Sequence, residues 1–318
     1  MVLIFRMLGL VVGLRLRICS IFLSLFFQSF AHADRLSETE RQITHGIQSL
    51  STRLDGFFSH EDLDVEDTGS RLKMGYAAYY EEYKDPSYNF LVGFRLVLPR
   101  TQKKLQLLVI GDEEDLYERK DGESSTPDKN VSDSVKNQKI SVGLRSLFHK
   151  SKESALVFDM GVKIKNPLDP FARISGRRSF FYEDYELRFL ERLYWFESIQ
   201  WGSSTSIDLD RPFAPGWLGR FSNNGVVDFQ NGLWELDHYL ALYHLVSERT
   251  ALGYRAGVTA DDEKSLRLQS YYISFNYRFA LIKPWLYLEA TPKLTWPREQ
   301  NWIDVPSIYV KIESIYGL

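Results

Sequence analysis

The segments KISVGLRSLF (139–148) and ALVFDMGVKIK (155–165) decide the fold. Bulky apolar residues stand at alternate positions in both: Ile140, Val142, Leu144 and Phe148, then Leu156, Phe158, Met160, Val162 and Ile164. The opposite face combines glycine with charge, as Gly143 and Arg145 show. A period of two predicts β-strands. About ten tilted residues cross the hydrocarbon layer of a membrane, and these apolar faces are long enough to do so.

The same pattern recurs in RLKMGYAAYY (71–80) and NFLVGFRLVLP (89–99), and again around Arg173, Arg255 and Arg278. A water-soluble sheet also alternates, but its polar face carries a mixture of side chains suited to water. Strands in lipid must pair on both edges, because an unpaired backbone group has no water to bond. The pattern therefore favours a closed transmembrane antiparallel up-and-down barrel; a secreted β-sandwich is the alternative fold.

Turn and loop lengths predict about 14 strands, an even number that places both chain ends in the periplasm. The predicted spans are 71–84, 88–99, 103–113, 137–150, 154–166, 170–181, 184–198, 201–210, 217–223, 233–247, 250–261, 266–281, 284–297 and 305–318. Longer loops are expected at 111–136, 223–232 and 298–304. Twelve strands is the alternative, since 201–223 is the weakest region. The alternation slips near Glu191, which predicts a bulge or a strand end there.

The first 33 residues have the features of a secretory signal peptide. Three arginines precede the apolar stretch ICSIFLSLFFQSF (18–30), and Ala31-His32-Ala33 offers a cleavage site before Asp34. A retained membrane anchor is the alternative. Cleavage removes Cys19, the only cysteine, so no disulfide framework is expected. Export by a signal peptide, together with the barrel fold, predicts a location in the outer membrane of a Gram-negative cell.

Residues 34–69 are expected to form a periplasmic segment that precedes the barrel at 70–318. Apolar residues recur there at helical spacing and predict an amphipathic helix over 40–58: Ile43, Ile47, Leu50, Leu54 and Phe57. Its apolar stripe needs a surface. Two placements are open, namely docking on the periplasmic mouth and insertion into the barrel.

The segment IYVKIESIYGL (308–318) ends the sequence as a strand, with Ile312, Tyr316 and Leu318 on one face. It resembles the C-terminal signal that barrel-assembly machinery reads, with Leu318 in place of the usual Phe. Most of the Trp residues fall near predicted strand ends, which is typical of interfacial girdles. The expected partners are outer-membrane lipids, lipopolysaccharide and the assembly machinery, and the barrel is expected to be a monomer.

From about Phe171 onward the chain resembles an uncharacterised family of gammaproteobacterial outer-membrane proteins. The resemblance rests on YELRFLERLYWF, TSIDLDRPF, RFSNNG, SERTALGYRAGV, PWLYLEATPKLTWPRE and IYVKIESIYG. It covers the C-terminal half of the chain well and the N-terminal half poorly. It implies an outer-membrane barrel and supplies no catalytic residues.

If bulky residues face lipid, the lumen holds the charges. The candidates are Arg71, Arg95, Arg145, Lys163, Arg188, Arg255, Arg278, Glu289, Lys311 and Glu313. Such a set can line a wet, somewhat anion-preferring pore, or close the barrel with salt bridges. We therefore expect a passive channel or small-solute transporter, with a closed structural or assembly barrel as the alternative.

A lipid-acting hydrolase is the remaining alternative. The segment Arg220-Phe-Ser222-Asn-Asn-Gly225 is similar to the His-x-Ser-Asn-Gly segment of outer-membrane phospholipases, in which Ser is the nucleophile. Arg220 stands at the His position, and arginine cannot act as a base. Asn-Asn-Gly is otherwise expected to form the turn after a strand. His238 and His244 are expected on the apolar side of the next strand or at a rim.

The sequence predicts no enzyme, cofactor or metal site, because it contains no phosphate-binding loop and no zinc-like Cys/His spacing. With 39 basic and 42 acidic residues, the formal charge is −3. No basic patch lies outside the expected lumen, so nucleic-acid binding is not expected.

Overall fold

The computed structural model describes residues 50, 53–54, 57, 70–98, 104–110, 140–151, 153–182, 184–230, 232–261, 267–281 and 285–317. The chain divides into a unit Met1–Gln42 and a unit Ile43–Leu318, and all described residues belong to the second. The expected signal peptide, the 111–136 loop, Lys139 and Leu318 lie outside the described residues. So does most of the expected helix at 40–58.

The second unit contains a closed ring of fourteen antiparallel strands. The strands are β1 Arg71–Glu81, β2 Ser87–Val97, β3 Leu105–Ile110, β4 Ile140–Lys150, β5 Ser154–Ile164, β6 Asp169–Tyr182, β7 Tyr185–Phe196, β8 Gln200–Ala214, β9 Trp217–Asp228, β10 Leu233–Ser247, β11 Thr250–Asp261, β12 Arg267–Ala280, β13 Leu286–Pro297 and β14 Val305–Tyr316. Each strand pairs with its sequence neighbours, and β1 pairs with β14 to close the ring. The prediction of an up-and-down barrel with fourteen strands is confirmed, which excludes the twelve-strand alternative.

Alternation along each strand separates an apolar outer wall from a charged inner wall. On β5, Met160 and Ile164 are exposed at 53% and 52%, whereas Asp159 and Lys163, which precede them directly, are 2% and 1% exposed. The same alternation holds on β14, where Ile312 is exposed and Glu313 is buried. Exposed bulky apolar side chains around a closed ring form the surface that a barrel presents to lipid.

Three local predictions were wrong. β8 and β9 extend beyond the predicted spans, so the loop predicted at 223–232 is reduced to a turn after Asp228. Asn223, Asn224 and Gly225 therefore lie within a paired strand and do not form a turn. Glu191 pairs regularly with Gly176 and Thr205, without a bulge. In both places a polar residue or glycine sits where the outer wall is otherwise apolar, and strand pairing on both sides overrides the local signal.

The two ends of the ring are called the turn end and the loop end. The turn end carries both ends of the barrel chain and the connections 98–104, 151–153, 183–184, 215–216, 248–249 and 281–285. The loop end carries the connections 82–86, 111–139, 165–168, 197–199, 229–232, 262–266 and 298–304. Aromatic contacts occur at both ends: Trp285 packs on Tyr316 at the turn end and Trp302 on Tyr271 at the loop end, with ring centroids 5.1 and 5.3 Å apart. These pairs have the placement of interfacial girdles.

Within the described parts of the chain, no helix is both long and apolar enough to span a membrane.

Candidate functional site: the charged lumen wall

Three ion-pair networks lie on the inner wall of the barrel. They arise because strand register places inward-facing charges directly opposite one another across neighbouring strands. Their side chains are largely buried, so each network holds its members in fixed positions.

The first network joins β4, β5 and β6 through Asp159. Arg145 and Arg173 are the partners of Asp159 on the two neighbouring strands. The Asp159 carboxylate accepts hydrogen bonds from Nε of Arg145 at 2.8 Å and from Nη2 of Arg173 at 2.6 Å. One buried acid is thus shared by two arginines.

The second network joins β7, β8 and β9 through Asp210. Arg220 donates to both oxygens of this carboxylate, at 2.7 and 2.8 Å, and Arg188 donates to one of them at 3.0 Å. Such a two-point arginine contact is among the stronger side-chain pairs. Arg188 also lies 3.5 Å from Glu186. The four residues joined by these contacts are two acids and two bases.

Ser222 lies beside the second network and faces the lumen. Its hydroxyl donates to Asp208 at 2.6 Å, and both residues have no exposed surface. His238 lies on the outer wall, on the opposite face of the sheet from Ser222, as strand alternation had predicted. Ser222 therefore has no access to lipid, and no histidine of the described ranges is placed to act as its base.

The third network joins β12, β13 and β14. Arg278 donates to Glu289 at 2.8 Å and to Glu313 at 2.7 Å, and Lys311 lies 3.2 Å from Glu289. Asn276 adds a hydrogen bond to Glu289 at 2.8 Å. Arg278 has no exposed surface and Glu289 is 1% exposed, so the centre of this network is fully enclosed.

Between the second and third networks the inner wall is aromatic and apolar. Arg255 lies over the ring of Tyr239 at 5.2 Å, and Lys293 lies over Tyr272 at 4.3 Å. Such contacts pair a cation with an aromatic face and need no acid. Leu218 and Tyr243 extend the same surface toward the turn end.

Leu54, from the segment before β1, is packed into this surface. It is 1% exposed and belongs to one buried cluster with Leu218, Tyr239, Ala241, Tyr243, Ala251 and Tyr272. Leu50 and Phe57 pack against the same cluster, and the Phe57 ring meets Tyr287 edge-on at 5.8 Å. Of the two placements left open by the sequence, these contacts correspond to insertion into the lumen.

The structure places the remaining candidates on the same wall. Lys163 is 1% exposed and lies opposite Asp169, while Arg71 and Arg95 lie opposite each other on β1 and β2. Sequence reasoning missed several inward charges: Arg192, Arg220, Glu81, Asp169, Asp228 and Asp261. Alternation from Ser222 could have assigned Arg220 to the lumen. With these residues included, the acids nearly balance the bases, which weakens the expected anion preference.

The part of the chain that the structure describes contains no group of three or more His, Cys, Asp or Glu residues arranged to hold a metal ion.

The fold and the two walls define the class: a closed fourteen-strand antiparallel barrel, apolar outside and charged inside. Similar solved structures include OpdK of Pseudomonas aeruginosa, solved with vanillate (7% identity, 79% of this chain and 98% of that chain, TM-score 0.47), and OccK10 (OpdN) of the same organism (8%, 79% and 100%, 0.46). The outer-membrane channel DcaP of Acinetobacter baumannii is also similar (6%, 78% and 96%, 0.41). These similarities concern the barrel fold alone. No protein-family model matches the chain, and a search of curated proteins found no match.

Proposed function

We propose that this protein is an outer-membrane channel for small hydrophilic solutes. Its outer wall supports a membrane location, because a closed ring with exposed bulky apolar side chains is stable in lipid. The expected signal peptide adds the export step that an outer-membrane protein needs. The proposal includes membership of the chain in the gammaproteobacterial family of outer-membrane proteins that its sequence resembles.

The charged inner wall of a fourteen-strand ring is the observation that carries the channel function. Wall side chains fill an eight-strand barrel, whereas rings of sixteen to eighteen strands leave an aqueous passage. A ring of fourteen strands lies between these cases and encloses space that water or a plug must occupy. Ionised side chains at all levels of the wall, from Arg71 near the turn end to Asp261 at the loop end, favour water.

Leu50, Leu54 and Phe57, which precede β1, occupy part of this passage. Leu54 lies on the β9–β12 side of the lumen, and the second and third networks flank that surface on β7–β9 and β12–β14. The passage therefore follows the remaining wall, which includes Arg145 and Arg173 of the first network. We expect a small conductance with a weak preference for anions.

A closed structural barrel is the second candidate. The enclosure of Arg278 and Glu289 favours it, because side chains that line an open pore are usually exposed to water. This candidate predicts no current, whereas the channel predicts a current that grows when the N-terminal segment is displaced.

Single-channel conductance of the exported protein, measured in planar bilayers of outer-membrane lipid, tests the channel against the closed barrel. Leu54→Asp places a charge in the apolar cluster and should release the segment, which raises the unitary conductance several-fold. Arg53→Asn changes the exposed neighbour and is the matched control, with an expected conductance equal to that of the wild type. Heat-dependent mobility on gels verifies that each variant is folded. If folded wild type and folded Leu54→Asp both pass no current at any voltage, the closed barrel is the correct function.

A further inference from the structure

The outer wall carries a polar patch on strands β6–β10, at positions within the strands and not in the connections between them. It consists of Gly176, Glu191, Thr205, Asn223, Gly225 and His238, which alternation places on the lipid-facing side of their strands. Among strand residues that the structure describes, Glu191 is the one acid that faces outward away from a strand end. A charge on the lipid face of a barrel costs free energy, so its presence there calls for a partner.

The patch is organised as an acid and a base at its two sides. The Glu191 carboxylate accepts a hydrogen bond from Oγ1 of Thr205 at 2.5 Å, which orients it along the wall. Nδ1 of His238 lies 2.6 Å from Oδ1 of Asn223 and donates to it. This bond directs Nε2, the other ring nitrogen, away from Asn223 and leaves it able to meet a partner.

The surroundings of the patch suit contact with another wall. Gly176 and Gly225 lie opposite Glu191 and Thr205, and glycine lets two backbones approach closely. Bulky apolar side chains border these small residues: Ile174, Leu193, Leu209, Phe221 and Leu240, all 37% to 63% exposed. When a second wall covers this surface, the apolar border excludes water from the polar centre.

From this juxtaposition, the geometry points to a second copy of this chain as the occupant, docked about a two-fold axis along the membrane normal. Such an axis preserves depth, so the residues it brings together must lie at the same level. Glu191 is five residues from the loop end of β7 at Phe196, and His238 is five residues from the loop end of β10 at Leu233. The axis then places each Glu191 against His238 of the other copy, and both contacts form at once.

The size of the contact is consistent with a dimer of moderate strength. Five strands, separated by four spacings of about 4.8 Å, span about 19 Å, and the apolar band of a barrel is about 25 Å tall. Two such walls bury about 1,000 Å² in total, which is near the lower limit for a specific interface. The acid–base pairs then supply register and specificity. This dimer replaces the monomer expected from the sequence; it rests on the proposed membrane location and is independent of conduction.

Cysteine cross-linking in membranes tests the placement of the axis. In a Cys19→Ser background, Leu209→Cys on β8 lies near the axis and should form a disulfide with its own copy in the second barrel. Phe90→Cys on β2, which is also outward-facing but on the other side of the ring, is the control. A Leu209→Cys product of dimer mass, well above that of Phe90→Cys, supports the proposal. Equal yields, or a product with the mass of another protein, overturn it.

Charge exchange tests the pairing itself, with sedimentation in detergent micelles as the readout. In the Glu191→Lys variant a lysine would face His238 of the other copy, and in the His238→Glu variant two glutamates would face each other. Each substitution should therefore weaken dimerisation at least about tenfold. The double variant restores an acid–base pair and should recover the dimer. Tyr80→Glu, which faces outward on β1 on the other side of the ring, is the control and should leave dimerisation unchanged. Failure of the double variant to recover, although it is folded and floats with vesicles, contradicts the pairing; loss of flotation would instead refute the membrane location.

Discussion

Arg278 on β12 lies directly opposite Glu289 on β13, and its guanidinium bonds that carboxylate at 2.8 Å while reaching Glu313 on β14 at 2.7 Å. One arginine thus joins three strands, including the last strand before the ring closes against β1. Removing one partner of a buried ion pair leaves the others uncompensated, and that cost exceeds the value of the pair itself.

Arg278→Met should therefore lower the free energy of unfolding by about 3–5 kcal/mol, because Glu289 and Glu313 lose their shared cation. Reversible urea unfolding in lipid vesicles, followed by tryptophan fluorescence, measures the change. Arg249→Met removes an exposed arginine from a turn and should have little effect. Equal stability of the two variants would show that the third network contributes nothing to barrel stability.

Asp159→Asn should make the channel more selective for anions. The substitution removes the negative charge of the acid that Arg145 and Arg173 share, so the net charge of this part of the wall becomes more positive. The reversal potential in a KCl gradient should then move toward the chloride equilibrium potential. Arg249→Gln, on the exposed 248–249 connection, is the control, and it should leave the reversal potential close to that of the wild type. A folded Asp159→Asn channel with unchanged selectivity would mean that ions do not pass the first network.

Ser222→Ala should affect stability and leave hydrolysis untouched. Asp208 loses the hydroxyl that donates to it at 2.6 Å, and an unsatisfied buried acceptor costs about 1–3 kcal/mol. Esterase assays with short-chain and phospholipid substrates should give the same background rate for both proteins. A measurable wild-type activity that disappears in Ser222→Ala would instead establish the hydrolase alternative.

Gly202→Ala should destabilise the barrel by about 1–3 kcal/mol through overpacking. Gly202 lies opposite Tyr194, and a Cβ at that position would lie 2.5 Å from Cε2 of the tyrosine ring. Truncating the ring removes the obstacle, so Gly202→Ala should cost much less in a Tyr194→Leu background. Thermal unfolding of the four proteins forms a double-mutant cycle. Additive effects would rule out the steric contact as the cause.

Uninterrupted alternation of bulky apolar residues predicted the strands of the barrel well, whereas local turn and bulge signals did not. Strand number and facing were predictable wherever bulky residues alternate without interruption, as on β4 and β5. The signal failed at Glu191 and at Asn223–Gly225, where the outward face is polar or small. These residues are strand residues because their neighbours on both sides pair with them, and pairing between segments is absent from any local pattern.

The lumen candidates show the same limit. Alternation assigned Arg145, Arg278 and Glu289 to the inner wall, but it could not assign their partners. Arg220 was compared with a catalytic motif, and its bond to Asp210 became visible only once β8 and β9 were in register.

By itself, the sequence favoured a closed barrel of about fourteen strands with an apolar outer face, because residue alternation is a local property of each strand; the ring of the tertiary structure fixed the number at fourteen. The tertiary structure alone decided which charges meet, where Leu54 packs, and that Glu191 and His238 share one side of the outer wall. Those relationships join residues from separate strands, and they depend on register, which is set by the whole ring.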